Sequence, residues 1–469
     1  MSETIYPRLI HSYRADSCRA CQYSVVEGLE ILAHGLESVD SYKATTRYIS
    51  KDGRYLYLSG DKVDKVDLSG GFILVGFGKA VLGMCKAIVD YASHNLRGGL
   101  VIADRRRVNW RDMDYLRDNG VEVLYGGYPY PDESTLKASQ KLLNLIVSSP
   151  EDMTIVVLIS GGGESLFEVP LDGIPISDLG ELYRMCRSRG IPPHEFSIVT
   201  KHLSRVKGGK LAQHLYPRRT VSLIISPSLG KDVMDVAGGP TLHDNTSFDD
   251  AKRILEFYNI WDDLPTSVSR AIMTGIEGGY QETIRKGDPV LRNVSNVVVA
   301  SGRHGLKNMK MYAELKGYNA FILSGRLIGE AREVGQVIAS LVEDMYWDNE
   351  PVEPPSVLLA GGETSVSVTG PGTGGRNQEL LLSIVRRVNN LHGVAVIAFN
   401  TDGVDGNSPA AGAVVDGCTL SDALSKGLYP EDYLKDNNSY EFFDRLDRKL
   451  VTGFTGTDVN DFIIVVINI

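Results

Sequence analysis

Short apolar segments alternate with helical patterns along most of the chain. The first clear unit is the apolar run 72–75, which ends at Gly76 and precedes a helical pattern that continues to Ile88. Comparable apolar runs lie at 99–103, 121–124, 154–159 and 220–226, and a helix is predicted over 133–147. Short buried strands that alternate with helices predict a parallel sheet covered by helices on both faces.

A second series of elements begins near residue 294. Its neighbouring apolar segments at 357–360 and 364–369 favour some antiparallel pairing, so this sheet is predicted to be mixed. Further strands are predicted at 294–300, 319–324, 394–399 and 462–468, with helices at 304–317, 328–346 and 377–389. The pattern therefore predicts two α/β domains, placed at 1–285 and 286–469, and the cleft between them is the expected site.

Charge and composition narrow the classes of function. The 49 Lys and Arg residues against 59 Asp and Glu residues give a net charge of −10, which disfavours nucleic acid and anionic membrane as partners. No segment approaches the roughly 18 apolar residues that span a bilayer, and the N-terminus lacks an apolar signal core. We expect a cytoplasmic protein that binds small molecules, and the sequence leaves open whether it forms a homo-oligomer.

The loop after the 72–75 strand has the composition of an anion site. Gly76 and Gly78 let the backbone approach a ligand, the following helix start presents N–H groups, and Lys79 adds a cation. The loop matches neither the Walker pattern nor the complete dinucleotide fingerprint. A tight turn with a solvated lysine explains the same residues equally well.

The loop after the 154–159 strand follows a buried strand directly, as does the loop after the 72–75 strand. It reads Ser160, Gly161, Gly162, Gly163 and Glu164, and three consecutive glycines cost conformational entropy that a plain connector does not require. Successive N–H groups there can form an anion nest, which favours ligand binding over a simple turn. The nucleophile elbow G-x-S-x-G is absent, which disfavours hydrolase chemistry.

The stretch 201–210 is densely basic within an acidic protein. Lys207 is the candidate in it for contact with an anionic substrate or nucleotide. The alternative is a charged helix face that a Gly-Gly cap closes.

The loop 370–379 gives the strongest local signal in the second half of the chain. Gly374, Gly375, Arg376 and Asn377 stand directly before a helical pattern. An arginine at a glycine-lined helix start can bind phosphate oxygens bidentately. An arginine that donates to loop carbonyls is the alternative.

Two further loops in this half are polar. Asp402 and Asp405 follow the 394–399 strand, and carboxylates there suit a metal ion that prefers oxygen ligands. Asx turns explain the same Asp-Gly pairs equally well. Thr455, Asp458 and Asn460 lie in a loop before the last strand, and we expect that loop to close on the same cleft.

Together these motifs resemble the two-domain ATP-dependent glycerate kinases whose C-terminal half is the MOFRL domain. The matching stretches, in chain order, are VGFGKA (75–80), SGGGESL (160–166), KHLSRVKGGKLA (201–212), GGPT (238–241), GEAREVG (329–335), GGETSVSVTGPGTGGRNQE (361–379), NTDGVDGNSPAAGA (400–413) and TGFTGTDVNDF (452–462).

The resemblance implies a Rossmann-like N-terminal domain and a mixed-sheet MOFRL domain. It also implies phosphoryl transfer from ATP to D-glycerate, giving 2-phosphoglycerate, with Mg²⁺ as cofactor. The catalytic lysine of the family falls on Lys79, and its catalytic arginine falls on Arg376. Phosphoryl transfer needs cations and positioned anion sites more than a covalent nucleophile, and the sequence offers such groups.

The chain departs from the family pattern mainly in its N-terminal half. Glu164 stands at a usual serine, Thr200 at a usual arginine and Tyr128 at the histidine of H-P-x-P-D, while Pro227 alters an S-D-V-x-G-D loop. Of these changes, Glu164, Thr200 and Pro227 fall where the acceptor is expected to bind. A compensating positive charge is predicted to come from Lys201, Lys207, Lys210 or Lys231.

Two other functions stay open. The altered acceptor side suits a non-catalytic or substrate-shifted relative. Members of the family have also been labelled hydroxypyruvate reductases, which would use a nicotinamide cofactor. No complete dinucleotide fingerprint is present, so the reductase ranks below the kinase.

Overall fold

The structure is a computed structural model that describes residues 5–13, 19–52, 54–59, 63–227 and 230–469. These residues group into two compact units. The first unit is Ser41–Ala300, and the second unit combines Met1–Asp40 with Ser301–Ile469.

The α-helices in the described ranges are α1 (Ile5–Ser12), α2 (Arg19–Ser38), α3 (Ser41–Arg47), α4 (Val81–Ala92), α5 (Trp110–Asp118), α6 (Glu133–Ser148), α7 (Gly163–Leu166), α8 (Ile176–Ser188), α9 (Pro193–His202), α10 (Leu211–Leu215), α11 (Phe248–Phe257), α12 (Thr266–Ile276), α13 (Gly302–Leu315), α14 (Ala331–Trp347), α15 (Arg376–Ile384), α16 (Thr419–Ser425), α17 (Pro430–Lys435) and α18 (Ser439–Arg445). Within those ranges, no helix combines the length and apolar character that a bilayer-crossing segment needs.

The strands are β1 (Ile49–Asp52), β2 (Tyr55–Ser59), β3 (Val63–Asp67), β4 (Phe72–Phe77), β5 (Leu96–Asp104), β6 (Val121–Gly126), β7 (Thr154–Ile159), β8 (Thr220–Ser226), β9 (Val294–Ser301), β10 (Asn319–Leu327), β11 (Ser356–Gly362), β12 (Val394–Asn400), β13 (Gly412–Asp416), β14 (Lys449–Leu450) and β15 (Asp461–Ile467).

The first unit is built on a parallel sheet. Its strand order is β6-β5-β4-β7-β8-β9, and the pairs β4–β5, β4–β7, β5–β6 and β7–β8 are parallel. Strands β4 and β7 are buried along their whole length, which explains why they are continuous apolar runs. The carboxyl ends of the parallel strands share one edge, where open α/β sheets bind ligands.

Two apolar clusters stabilise the first unit. One packs the sheet against α6 and includes Phe77, Leu142 and Phe167. The other joins α8, α9, α11 and α12 around Tyr183 and Phe248. Leu203, within the basic stretch 201–210, belongs to the second cluster.

The second unit carries a mixed sheet. Its strand order is β10-β11-β15-β12-β13-β14, with β10–β11 parallel and the other pairs antiparallel. Asp461, the first residue of β15, pairs with Gly362 of β11 and with Asn400 of β12. The carboxyl ends of β11 and β12 and the start of β15 therefore lie at one edge of this sheet.

The predicted fold class is confirmed, because a parallel sheet is followed by a mixed sheet. The grouping of residues nevertheless differs from a division between 285 and 286. Strand β9 extends the edge of the first sheet. Helix α2 packs on the second sheet, since a Cβ at Gly28 would lie 2.7 Å from Cδ1 of Ile397. Both assignments depend on long-range packing, which periodicity does not reveal.

Candidate active site

In the first unit, the two predicted glycine loops meet at the carboxyl edge of the sheet. The N–H of Lys79 donates to the carbonyl of Gly161 at 2.8 Å, and the N–H of Ala80 donates to Oγ of Ser160 at 3.1 Å. In the opposite direction, the N–H of Ser160 donates to the carbonyl of Phe77 at 3.2 Å. Because β4 and β7 are neighbours, the loops that follow them brace each other.

Glycine is required at two positions of this loop pair. Gly78 has φ +124°, and a Cβ there would lie 2.2 Å from Oγ of Ser160. Gly162 has φ +77°, and a Cβ there would lie 2.8 Å from Cγ of Lys79. These glycines therefore serve the close approach of the two loops. Gly76 lies inside β4, where a Cβ would meet the neighbouring strand β7.

The N–H groups of Gly161 and Gly162 are the backbone donors that this geometry leaves for an anion. Among the described residues neither group has an acceptor, whereas the N–H of Gly163 donates to the Ser160 carbonyl at 3.3 Å. The side chain of Lys79 passes over Gly162. Two adjacent N–H groups and one ammonium group can together bind a phosphate or carboxylate. We call this group the Lys79 anion site.

One side of the Lys79 anion site is formed by the Tyr128 loop and the segment after Gly163. Nζ of Lys79 lies 5.1 Å from the centre of the Tyr128 ring. Oγ of Ser165 donates to the carbonyl of Pro129 at 2.7 Å. The neighbouring Glu164 is partly buried, and its carbonyl accepts a hydrogen bond from the Tyr183 hydroxyl at 3.0 Å. These bonds hold the two segments together.

Lys207, a predicted ligand contact, lies inside the first unit. Its Nζ is 2.5 Å from Oε2 of Glu168, and neither side chain is exposed to solvent. The hydroxyl of Tyr183 also contacts Nζ, and burial raises the pKa of this tyrosine well above its usual value. The charge of Lys207 is thus balanced by Glu168, and a direct role in ligand binding stays a prediction.

The other described lysines of the stretch are buried as well. Nζ of Lys201 lies 2.7 Å from Oδ1 of Asp235. Nζ of Lys210 donates to the carbonyl of Ser204 at 2.8 Å, and burial lowers its pKa to about 8. The side chain of Lys231 lies outside the described residues. The prediction that Lys201, Lys207 or Lys210 compensates for an altered acceptor side is therefore not supported.

In the second unit, Arg376 is the first residue of α15 and binds two carboxylates. Its Nε and Nη2 donate to the two oxygens of Asp461 at 2.6 and 3.0 Å, and its Nη1 donates to Oε1 of Glu363 at 2.7 Å. Burial opposes the charge, but Asp461 and Glu363 outweigh it and raise the pKa of the guanidinium well above its usual value. Three of the five N–H donors are used in this network.

Asp405, predicted as a metal ligand, instead caps the start of α15. Its Oδ1 accepts the N–H and the side-chain amide of Asn377, both at 3.2 Å. Its Oδ2 accepts the N–H and the side-chain amide of Gln378, both at 3.0 Å. A carboxylate has about four acceptor sites, so these four donors fill it. Asp405 does not fit a metal site, and the N–H of Asn377 is engaged rather than open to a phosphate.

The glycines before Arg376 are explained by close packing. A Cβ at Gly374 would lie 2.1 Å from Oγ of Ser439, and a Cβ at Gly375 would lie 2.3 Å from Cγ of Asp405. The N–H of Gly374 donates to Oδ1 of Asn407 at 2.8 Å. Contacts between these glycines and a nucleotide stay a prediction, since packing already accounts for both residues.

The loops that carry Asp402 and Thr455 contact each other. Oγ1 of Thr455 donates to the carbonyl of Thr401, and the N–H of Val459 donates to Oγ1 of Thr401 at 2.9 Å. In the same loop, Asp458 is buried, and Asn460 has a backbone φ of +65°. Asn460 therefore forms part of the turn into β15, and contacts of either residue with a nucleotide stay a prediction.

The carboxylate of Asp402 is the remaining candidate for contact with a cation. It is buried, and its Oδ1 accepts the N–H of Val404 at 2.9 Å. Across the described ranges, no group of three or more His, Cys, Asp or Glu side chains is arranged to hold a metal ion. A site built from protein ligands alone is therefore not found in that part of the chain.

Two charged residues at these sheet edges were not among the predicted site residues. Asp461 anchors Arg376, and it lies in the matching stretch 452–462 at the start of an apolar strand. Arg106 follows β5, within a run of three arginines after a parallel strand. A basic run at that end of a strand is a usable signal for a ligand contact.

Comparisons with known proteins match both units. Residues 28–273 match the family described as domain of unknown function DUF4147, and residues 356–461 match the MOFRL family. Over 442 residues the chain is 35% identical to glycerate 2-kinase of Pyrococcus horikoshii, covering 94% of this chain and 96% of that protein. Over 394 residues it is 32% identical to an Agrobacterium vitis protein named putative hydroxypyruvate reductase, covering 84% and 98%. The crystal structure of glycerate kinase from Thermotoga maritima gives a TM-score of 0.75 at 34% identity, covering 93% and 98%.

Proposed function

Because the chain belongs to the MOFRL-domain glycerate kinase family, we propose that it transfers the γ-phosphoryl group of ATP to D-glycerate and forms 2-phosphoglycerate. The observation that carries this proposal is the Lys79 anion site, in which an ammonium group stands beside the donors of Gly161 and Gly162. Phosphate and carboxylate are the two anionic groups that a glycerate kinase must hold.

Phosphoryl transfer requires little covalent chemistry from the protein. The hydroxyl oxygen of glycerate bonds to the γ-phosphorus, the bond to the bridging oxygen of ADP breaks, and the hydroxyl proton is released. Negative charge spreads over the three equatorial oxygens, so catalysis rests on positioning and on cations. Lys79 supplies such a cation, and Gly161 and Gly162 supply fixed donors. The absence of a nucleophile elbow from the sequence is consistent with this chemistry.

Magnesium would enter with the nucleotide rather than at a site made by the protein. Mg²⁺ is commonly held by one or two carboxylates together with substrate phosphates and water. Asp405 does not fit this role because its oxygens are filled by Asn377 and Gln378. Asp402 fits as a single carboxylate contact to a cation that ATP carries.

The first prediction is the activity itself. The protein is expected to consume ATP when D-glycerate is added, and phosphorus NMR of the product is expected to show the phosphate on carbon 2. NADH oxidation with hydroxypyruvate is the control for the reductase. ATP binding without turnover on any three- or four-carbon hydroxy acid would identify a non-catalytic relative, and NADH turnover would replace the kinase by the reductase.

The second prediction concerns the divalent cation. Excess chelator is expected to abolish turnover, and Asp402→Asn is expected to raise the Mg²⁺ concentration that gives half-maximal activity. Asp405→Asn is the matched comparison, because it should destabilise the start of α15 by about 1–2 kcal/mol and leave the Mg²⁺ requirement of the folded enzyme unchanged. A normal Mg²⁺ titration in Asp402→Asn would assign Asp402 to loop structure alone.

A further inference from the structure

Two cations lie against the same aromatic ring in the first unit. Nζ of Lys79 is 5.1 Å from the centre of the Tyr128 ring, and Cζ of Arg106 is 5.3 Å from it. Because both distances are measured to the centre of the same ring, Nζ of Lys79 and Cζ of Arg106 are at most about 10 Å apart. Arg106 therefore borders the Lys79 anion site, and the Tyr128 ring links the two positions by cation–π contacts.

The guanidinium of Arg106 is held in place yet open to solvent. Its Nε and Nη2 donate to the oxygens of Asp104, with Nε to Oδ1 at 3.0 Å and Nη2 to Oδ2 at 2.7 Å. Burial of Asp104 would raise the pKa of this carboxyl, but Arg106 outweighs it and lowers the pKa. The Arg106 side chain is 56% exposed, whereas that of Asp104 is 4% exposed. A buried carboxylate thus orients an exposed arginine at the carboxyl edge of the sheet.

We propose that Arg106 binds the carboxylate of the acceptor and sets the preference of this kinase for a hydroxy acid. The proposal rests on the proposed function, and it assigns the transferring phosphoryl group to Lys79. In a 2-hydroxy acid, the carboxylate carbon and the hydroxyl oxygen are two bonds apart, about 2.4 Å. A carboxylate bound to Arg106 at about 2.8 Å therefore keeps the hydroxyl group close to the guanidinium, which itself lies at most about 10 Å from the ammonium group of Lys79.

The burial of the lysine stretch strengthens this assignment. Lys201, Lys207 and Lys210 are at most 4% exposed and hold internal partners, so they do not offer a charge to an acceptor in this structure. Arg106 is exposed, and it follows β5 at the carboxyl edge of the same sheet. It can bind a carboxylate through two parallel hydrogen bonds, which a lysine cannot reproduce.

The test compares Arg106→Gln with Arg105→Gln. The neighbouring Arg105 carries the same charge but lies against Tyr125, at 5.9 Å from that ring. Arg106→Gln is expected to raise the KM for D-glycerate about 10- to 100-fold, with kcat and the KM for ATP within about threefold of wild type. The KM for D-glycerate of Arg106→Lys is expected to lie between the values of wild type and Arg106→Gln. Arg105→Gln is expected to match wild type. The neutral amide of glycerate has no carboxylate, so its KM is expected to differ little between wild type and Arg106→Gln.

Calorimetric titration with D-glycerate alone makes the result independent of turnover. If wild type binds D-glycerate and Arg106→Gln binds it at least about tenfold more weakly, the inference stands even when ATP is not consumed and the kinase proposal fails. Equal affinities in Arg106→Gln and Arg105→Gln, or no binding by wild type, would overturn it. Arg106→Gln combined with Asp104→Asn removes the stranded carboxylate, and the same loss of affinity is expected if the single variant folds poorly.

Discussion

Lys79→Ala is expected to lower kcat for glycerate phosphorylation by about 10²–10³-fold, which corresponds to about 2.7–4 kcal/mol of transition-state stabilisation. The ammonium group stands beside two fixed N–H donors, and charge on the transferring phosphoryl group is greatest in the transition state. The loss should therefore appear mainly in kcat rather than in the KM for D-glycerate. Steady-state kinetics with both substrates varied provides the measurement.

Lys137→Ala is a matched control for this variant. Lys137 is exposed on α6 of the same unit, so its removal changes the net charge equally and leaves the anion site intact. A surface change of this kind is expected to alter stability by less than about 0.5 kcal/mol. If Lys79→Ala retained wild-type kcat while folded, the Lys79 anion site would not be the place where the phosphoryl group transfers.

The sequence was sufficient for the elements whose burial is continuous. Strands β4, β7 and β8 are buried on both faces, so an apolar run bounded by polar residues locates each of them. The predicted strand 364–369 is wrong, because Ser365 forms only an isolated bridge there. The alternation at 364–369 reflects a loop that packs beside α14, and local pattern does not distinguish such a loop from an edge strand.

The sequence does not show which distant residues contact each site residue, and this limited the prediction of the site. The loops of Lys79 and Gly161 could be placed at the same edge of a parallel sheet, but that the strands before them are neighbours is known only from the structure. The environments of Lys207 and Asp405 depend on Glu168 and Gln378, which are distant in the sequence. Composition alone does not tell whether a charge faces a ligand or an internal partner.

Arg376→Ala is expected to lower the free energy of unfolding by about 3–5 kcal/mol, the range for removing one partner of a buried ion pair. Asp461 is 4% exposed, and both of its oxygens accept hydrogen bonds from Arg376. Its carboxylate would remain at the start of β15 without its cation. Urea unfolding of the purified variant measures this loss.

A double variant separates the structural role of Arg376 from its predicted role in catalysis. Arg376→Ala combined with Asp461→Ala removes the stranded carboxylate, so part of the lost stability should return; strictly additive losses would exclude the coupling.

Arg376→Lys should rescue poorly, because an ammonium group cannot donate to both Asp461 oxygens and to Glu363 in this geometry. The two N–H donors left outside the network are the ones through which Arg376 would contact a phosphoryl group. A fall in kcat of the folded Arg376→Lys enzyme by about 10²-fold, with the KM for D-glycerate little changed, would establish that contact. Unchanged kcat in folded Arg376→Lys would leave Arg376 as the residue that ties α15 to β11 and β15, and would remove it from the catalytic groups.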